Sequence, residues 1–136
     1  MVTHVVAMGG GGFSMQHEPS TLDAFVLSLA AKPSPVVCFV PTASGDADSY
    51  LQLFYTAFRK LPCEPTDLSL FKRDDRSVPE RLESVDVVYV GGGSTANLLA
   101  VWRLHGLDRA LRARAAAGPL VLAGLSAVVA LIVAGR

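Results

Sequence analysis

Val85-Asp86-Val87-Val88-Tyr89-Val90-Gly91-Gly92-Gly93-Ser94-Thr95-Ala96-Asn97 is the stretch whose reading decides the fold. Val85 to Val90 is an apolar run rich in β-branched residues and reads as a strong strand. Gly91 to Gly93 then form a turn, and a helix is expected from Thr95 to about Leu104. The unit is strand, glycine turn, helix. The same order recurs on either side of it. Val2 to Met8 is an apolar run ending in Gly9 to Gly12, and Ser20 or Thr21 can cap a helix reaching about Ala31. Val36 to Val40 is a second strand, running into the loop Pro41-Thr42-Ala43-Ser44-Gly45-Asp46. Asp46 opens a helix with Leu51, Phe54, Tyr55 and Phe58 on its apolar face, ending before Pro62. Thr66 to Phe71 is a weaker strand, and Pro79 to Leu82 a short helix. Leu107 to Ala117 is a further helix, broken by Gly118-Pro119, and Leu120 to Ala123 is a fifth strand.

Strands alternating with helices predict one α/β domain, residues 1–136, with a mostly parallel central sheet covered by helices on both faces. The expected strand order is 2-1-3-4-5. In such sheets ligands sit beyond the carboxyl ends of the strands. The informative residues are therefore those that follow each strand.

Composition narrows the function classes. The chain has 136 residues, 51% of them apolar, with 12 basic and 12 acidic side chains and no net charge. No basic stripe is present to neutralise a phosphate backbone, so nucleic acid is not an expected partner. Cys38 and Cys63 have no metal-ligand spacing, and Cys38 lies in an apolar run as a small buried hydrophobe would. His4, His17 and His105 form no metal-binding pair. No cofactor and no metal are expected. The N-terminus lacks a charged leader and a long apolar core, so a cytoplasmic location is the simplest expectation.

Gly124-Leu125-Ser126-Ala127 follows the fifth strand. This is the arrangement of a nucleophile elbow, in which a sharp strand-to-helix turn lifts a serine hydroxyl above the sheet. The full G-x-S-x-G pattern needs glycine at position 128, where this chain has Val128. A serine that caps the following helix gives the same local sequence. Gly91 to Gly93 could bring backbone N–H groups close to an anion, or could be a tight turn capped by Ser94 or Thr95. Gly9 to Gly12 lacks the spacing and the later acid of a dinucleotide loop, and no GK[ST] follows it.

Taken in order, Ala7-Met8-Gly9-Gly10-Gly11, Val40-Pro41-Thr42-Ala43-Ser44-Gly45-Asp46, Val88 to Asn97 and Ala123-Gly124-Leu125-Ser126-Ala127 resemble the dipeptidase E and cyanophycinase family of serine peptidases. The resemblance covers about residues 2 to 127. It implies a flavodoxin-like three-layer sandwich of the class I glutamine amidotransferase type. By resemblance, Ser126 is the nucleophile. Gly92 and Gly93, with the N–H of Ala127, make the oxyanion site, and Ser94 stands where the family usually carries Asn. A small peptide, with aspartyl peptides suggested by the family, is the expected substrate.

The family's activating histidine lies downstream of its elbow, and no histidine follows Ser126 in this sequence. The expectation is a sheet incomplete at its C-terminus, a weak or inactive peptidase, and an exposed edge that favours association of copies. Two other readings remain. One is a non-catalytic remnant that binds a small ligand. The other is a C-terminal membrane anchor, because residues 115–135 carry no charge between Arg114 and Arg136.

Overall fold

The computed structural model describes residues 3–8, 13 and 19–125. Five parallel strands form one sheet: β1 (Thr3–Met8), β2 (Val36–Val40), β3 (Glu64–Asp67), β4 (Val87–Val90) and β5 (Leu120–Leu125). The helices are α1 (Thr21–Ser28), α2 (Asp48–Phe58), α3 (Val78–Leu82), α4 (Thr95–His105) and α5 (Leu107–Ala117), with a 3-10 turn at Thr42–Ser44. The architecture is the expected α/β sandwich with a parallel sheet.

The strand order corrects the expected 2-1-3-4-5. Among the described residues it is β1-β5-β4-β2-β3, so β1 lies at an edge of the described sheet and pairs there with β5. Burial explains the placement. All four residues of β4 are buried, as are the last four of β2, whereas Thr3, Val5 and Ala7 of β1 are exposed. A central strand must be apolar on both faces, and Thr3 and His4 do not meet that demand. Read from the other edge, β3-β2-β4-β5 keeps the flavodoxin pattern with β2 counted as its first strand. The weak strand expected at Thr66 to Phe71 lies earlier, at Glu64–Asp67. Pro65 is tolerated there because β3 is the opposite edge and needs one ladder only.

Each face of the sheet carries its own core. Val37, Phe39, Val87, Tyr89, Val121 and Ala123 pack against α1 and α2. Cys38, Val40, Val88, Val90, Leu120 and Leu122 pack against α3, α4 and α5. Crossovers running from β1 toward β3 use the first face, and those running back use the second, so all have the same hand. The helix ends follow local chemistry. Ser20 Oγ accepts from the Asp23 N–H while the Asp23 carboxylate accepts from the Ser20 N–H, which closes a reciprocal cap on α1. Asp46 does not open α2; it sits in a left-handed turn, and the helix begins at Asp48.

The uncharged run 115–135 is not a membrane helix over its described part. Residues 115–117 end α5, and Leu120 to Ala123 of β5 are buried in the sheet. Among the described residues no helix is long and apolar enough to cross a membrane.

Aromatic packing holds α2 to the sheet. Phe13, fully buried, meets the rings of Phe39, Tyr50, Phe54, Phe58 and Tyr89 at centroid distances of 5.4 to 5.8 Å. Phe54 stacks on Phe39 at 4.8 Å and on Phe58 at 4.7 Å. Phe54→Ala should therefore lower stability by about 3–5 kcal/mol through lost burial and the cavity it leaves. Urea unfolding checks this as a lower midpoint with an unchanged slope.

Candidate active site

Winding direction reverses between β2 and β4. The chain leaving β2 crosses toward β3, and the chain leaving β4 crosses toward β5. Their two loops start at this reversal, the position beyond the carboxyl ends at which open α/β sheets commonly bind ligands. The loops are Pro41 to Asp46 and Gly91 to Ser94.

Local contacts fix both loops. Ser94 N–H donates to the Ala43 carbonyl at 2.8 Å, and Trp102 Nε1–H donates to Thr42 Oγ1 at 3.0 Å. Trp102 and Thr42 are both buried, so the bond is shielded from water and ties α4 to the β2 loop. Gly93 has φ +140°, and a Cβ there would lie 2.3 Å from the Ala43 carbonyl oxygen. Only glycine fits where the two loops cross.

The expected oxyanion residues are placed as follows. Gly92 N–H donates to the Tyr50 hydroxyl oxygen at 3.2 Å. Gly93 is exposed, and its N–H makes no hydrogen bond among the described residues. Ser94 caps α4, with its Oγ accepting from the Asn97 N–H at 3.3 Å. Exposed N–H groups at the start of an eleven-residue helix favour negative charge. Ser126 and Ala127 lie outside the described residues. The strand leading to them is described. Val90 of β4 pairs with Gly124 of β5, and a Cβ on Gly124 would lie 2.5 Å from the Val90 carbonyl oxygen. Gly124 has φ +143°, which also selects glycine. Close packing of Gly124 on Val90 brings the end of β5 beside the residue that precedes the Gly91 turn.

Several groups here escaped sequence reasoning. Tyr50 occupies the first turn of α2, and helices that follow strands begin at the carboxyl edge; that position was its only signal. Its ring also lies 4.9 Å from Phe39. Beneath the turn, the buried Asp23 carboxylate accepts from the Tyr89 hydroxyl at 3.2 Å and anchors α1 to β4. Burial, then the Asp23 charge, pushes the Tyr89 phenol well above its usual range. Tyr89 is thus held as a neutral donor.

Neither described histidine stands at the carboxyl ends. His4 pairs with Val121 near the start of β1, and His105 ends α4. Across an eleven-residue helix the separation from the glycine turn is about 15 Å. A cavity of about 480 Å³ lies at the amino ends, lined by His4, Lys32, Asp86 and Arg114 among others. Its charges are already engaged. Lys32 pairs with Asp86 at 2.7 Å, and Arg114 donates to the carbonyls of Leu82, Val85, Gly118 and Pro119. These contacts tie the strand starts to the end of α5 across that cavity.

The fold is an α/β sheet whose β2 and β4 loops meet at a switch in strand winding. The family model described as Peptidase family S51 matches residues 5–132, and the chain belongs to this family. It is 47% identical over 123 residues to the Bacillus subtilis (strain 168) protein named Uncharacterized peptidase YgaJ, covering 90% of this chain and 53% of that protein. A crystal structure of a peptidase from an acI-B1 Actinobacterium superposes with a TM-score of 0.70 at 23% identity, over 92% of this chain and 53% of that one. A peptidase E candidate from Listeria monocytogenes EGD-e gives 0.64 at 20% identity, over 91% and 58%. The chain spans about half the length of the relatives it matches.

Two outcomes are expected. Gly93→Ala should destabilise the fold by at least about 1–3 kcal/mol, because a side chain is forced into a left-handed conformation against a carbonyl. Thermal unfolding reads this directly. The second concerns Cys38, whose thiol burial pushes up to about 12 from 9.0. The unfolded thiol loses its proton first, so stability should fall as pH rises from about 9 toward 12. Urea titrations of the wild type and Cys38→Val across that range should show a shallower fall in the variant.

Proposed function

We propose that this chain carries the nucleophile-bearing part of a serine peptidase that hydrolyses small peptides, with aspartyl peptides as the preferred class. The observation that supports this most is the packing of Gly124 on Val90, which delivers the chain entering Ser126 to the neighbourhood of the Gly91 to Gly93 turn. In this reading the Ser126 hydroxyl attacks the scissile carbonyl. The oxygen that gains charge is met by the N–H groups of Gly93 and Ala127, with the first turn of α4 behind them. Gly92 contributes through its backbone, fixed by Tyr50. Ser94 sets the direction of α4 and faces the substrate.

A serine hydroxyl needs a base to accept its proton. His4 and His105 are at the wrong end of the strands and helices to do so. The base in this proposal therefore comes from outside the described residues, as the family resemblance implies. It takes the Ser126 proton during attack and returns it to the leaving amine.

The chain extended by the downstream segment of the Bacillus subtilis relative should hydrolyse an aspartyl dipeptide, whereas the 136-residue chain alone should stay near background. In the extended protein Ser126→Ala should reduce kcat/KM by at least about a thousandfold. Tyr50→Phe, which keeps the ring but removes the acceptor for Gly92, should cost about three- to tenfold. Activity that survives Ser126→Ala would overturn the assignment.

A further inference from the structure

Chain leaving β3 makes a wide turn before α3, and this turn walls a cavity of about 410 Å³. Arg81 of α3 and His105 at the end of α4 complete the wall. The cavity stands at the β3 side of the sheet, with β2 and β4 between it and β5. Its lining charges are unequal. Lys72, Arg73, Arg76 and Arg81 face it, against the single carboxylate of Asp74. The neighbouring acids Asp75 and Glu80 are not part of the lining. Asp48, in the first turn of α2, pairs with Lys72 at 3.2 Å, but both side chains are well exposed, so solvent weakens that pair. A concave surface lined mainly by one sign of charge concentrates counter-ions.

Arg81 is the preorganised member of this set. Its side chain is only 10% exposed, against 64% for Arg76, so it lies deepest. Its Nε is 3.4 Å from the Asp74 carboxylate, and its Nη1–H donates to the Ser69 carbonyl at 3.3 Å. Ser69 is itself buried and donates from Oγ to Asp67, which also accepts from the Tyr55 hydroxyl of α2. The guanidinium is thus fixed through β3 to α2. Arg76 grips the same Asp74 carboxylate with Nε at 3.2 Å and Nη2 at 3.0 Å. One carboxylate between two guanidiniums shows that their spacing suits an oxyanion. Donors remain for another. Arg81 Nη2, Arg76 Nη1 and the whole Arg73 head make no hydrogen bond among the described residues.

We propose that this cavity binds a phosphate group, free or carried by a small organic ester, with Arg81 at its floor and Lys72, Arg73 and Arg76 at its rim. A carboxylate offers two oxygens in one plane, which one guanidinium satisfies. A phosphate offers several oxygens in different directions, and separate cations on different sides of a cavity are suited to meeting them. Phe71, 60% exposed on the same wall, gives an apolar surface for an attached organic group. The site stands apart from the peptidase reading, because none of the residues given a role in that reading lines this cavity.

The test is titration of the full 136-residue chain with sodium phosphate and with phenyl phosphate at constant ionic strength, read by calorimetry and by backbone amide shifts. Saturable one-to-one binding is expected, with shifts concentrated in residues 69–78 and at His105. Arg81→Gln should weaken binding by at least about tenfold, since it removes a charge-assisted donor from a buried position. Arg73→Gln, at an exposed position, should weaken it about threefold. Arg59→Gln, which removes the same charge at the end of α2 on the other face of the sheet, should leave it unchanged. Circular dichroism establishes that each variant is folded. Arg73 has no partner to lose, so its variant carries the test if Arg81→Gln unfolds. Tighter binding of phenyl phosphate assigns the site to organic esters, and equal binding assigns it to free phosphate; both agree with the proposal. Titration that does not saturate at millimolar phosphate, equal loss in Arg59→Gln and Arg73→Gln, or tighter binding of citrate than of phosphate would overturn it.

Discussion

Chain leaving β2 turns one way along the sheet, and chain leaving β4 turns the other. The two loops must part, yet they start from adjacent strands only one strand spacing apart. What reconciles these demands is the contact of Gly93 with Ala43. The β4 loop passes so close over the β2 loop that a methyl group would enter the Ala43 carbonyl. Ser94 N–H then bonds that same carbonyl, and α4 starts from there. The position of α4, and with it Trp102 on Thr42, follows from this one approach.

A second close approach, Gly124 on Val90, does for β4 and β5 what Gly93 does for β2 and β4. The carboxyl ends of β2, β4 and β5 are thereby drawn together, and the backbone of the β2 and β4 loops is fixed by close contacts. Tyr50 adds to this by holding Gly92 from the α2 side, its ring wedged against Phe39 and Phe13. Rigid backbone donors beside a helix start are suited to meeting charge that develops during a reaction, since they need not reorganise. The amino ends are built differently. Arg114 and the Lys32–Asp86 pair satisfy the strand starts with charged groups.

Much of this was legible in the sequence because it rests on local signals. Apolar runs ended by glycine or proline marked β1, β2, β4 and β5, and Ser20 and Ser94 cap helices as their side chains allow. The class of fold, the helix at Thr95, the break at Gly118-Pro119 and the burial of Cys38 follow from such signals. The motif order in the sequence pointed to the peptidase family, and the match over residues 5–132 agrees with it.

Strand order and the contacts across loops were decided by tertiary structure. The run Val2 to Met8 reads as a strand, with Thr3 and His4 making it less apolar than β4, but only the competition among the described strands for two-sided burial shows that it lies at the edge. Tyr50 looked like one more residue of an aromatic helix. Its hydroxyl matters because α2 begins where β4 ends, a relation between positions 42 residues apart in the chain. Glycine at 91, 92 and 93 announces a turn, but which of these must be glycine depends on the carbonyl of Ala43 lying against one of them. Local propensity fixes what each segment becomes, whereas long-range packing fixes what each segment meets.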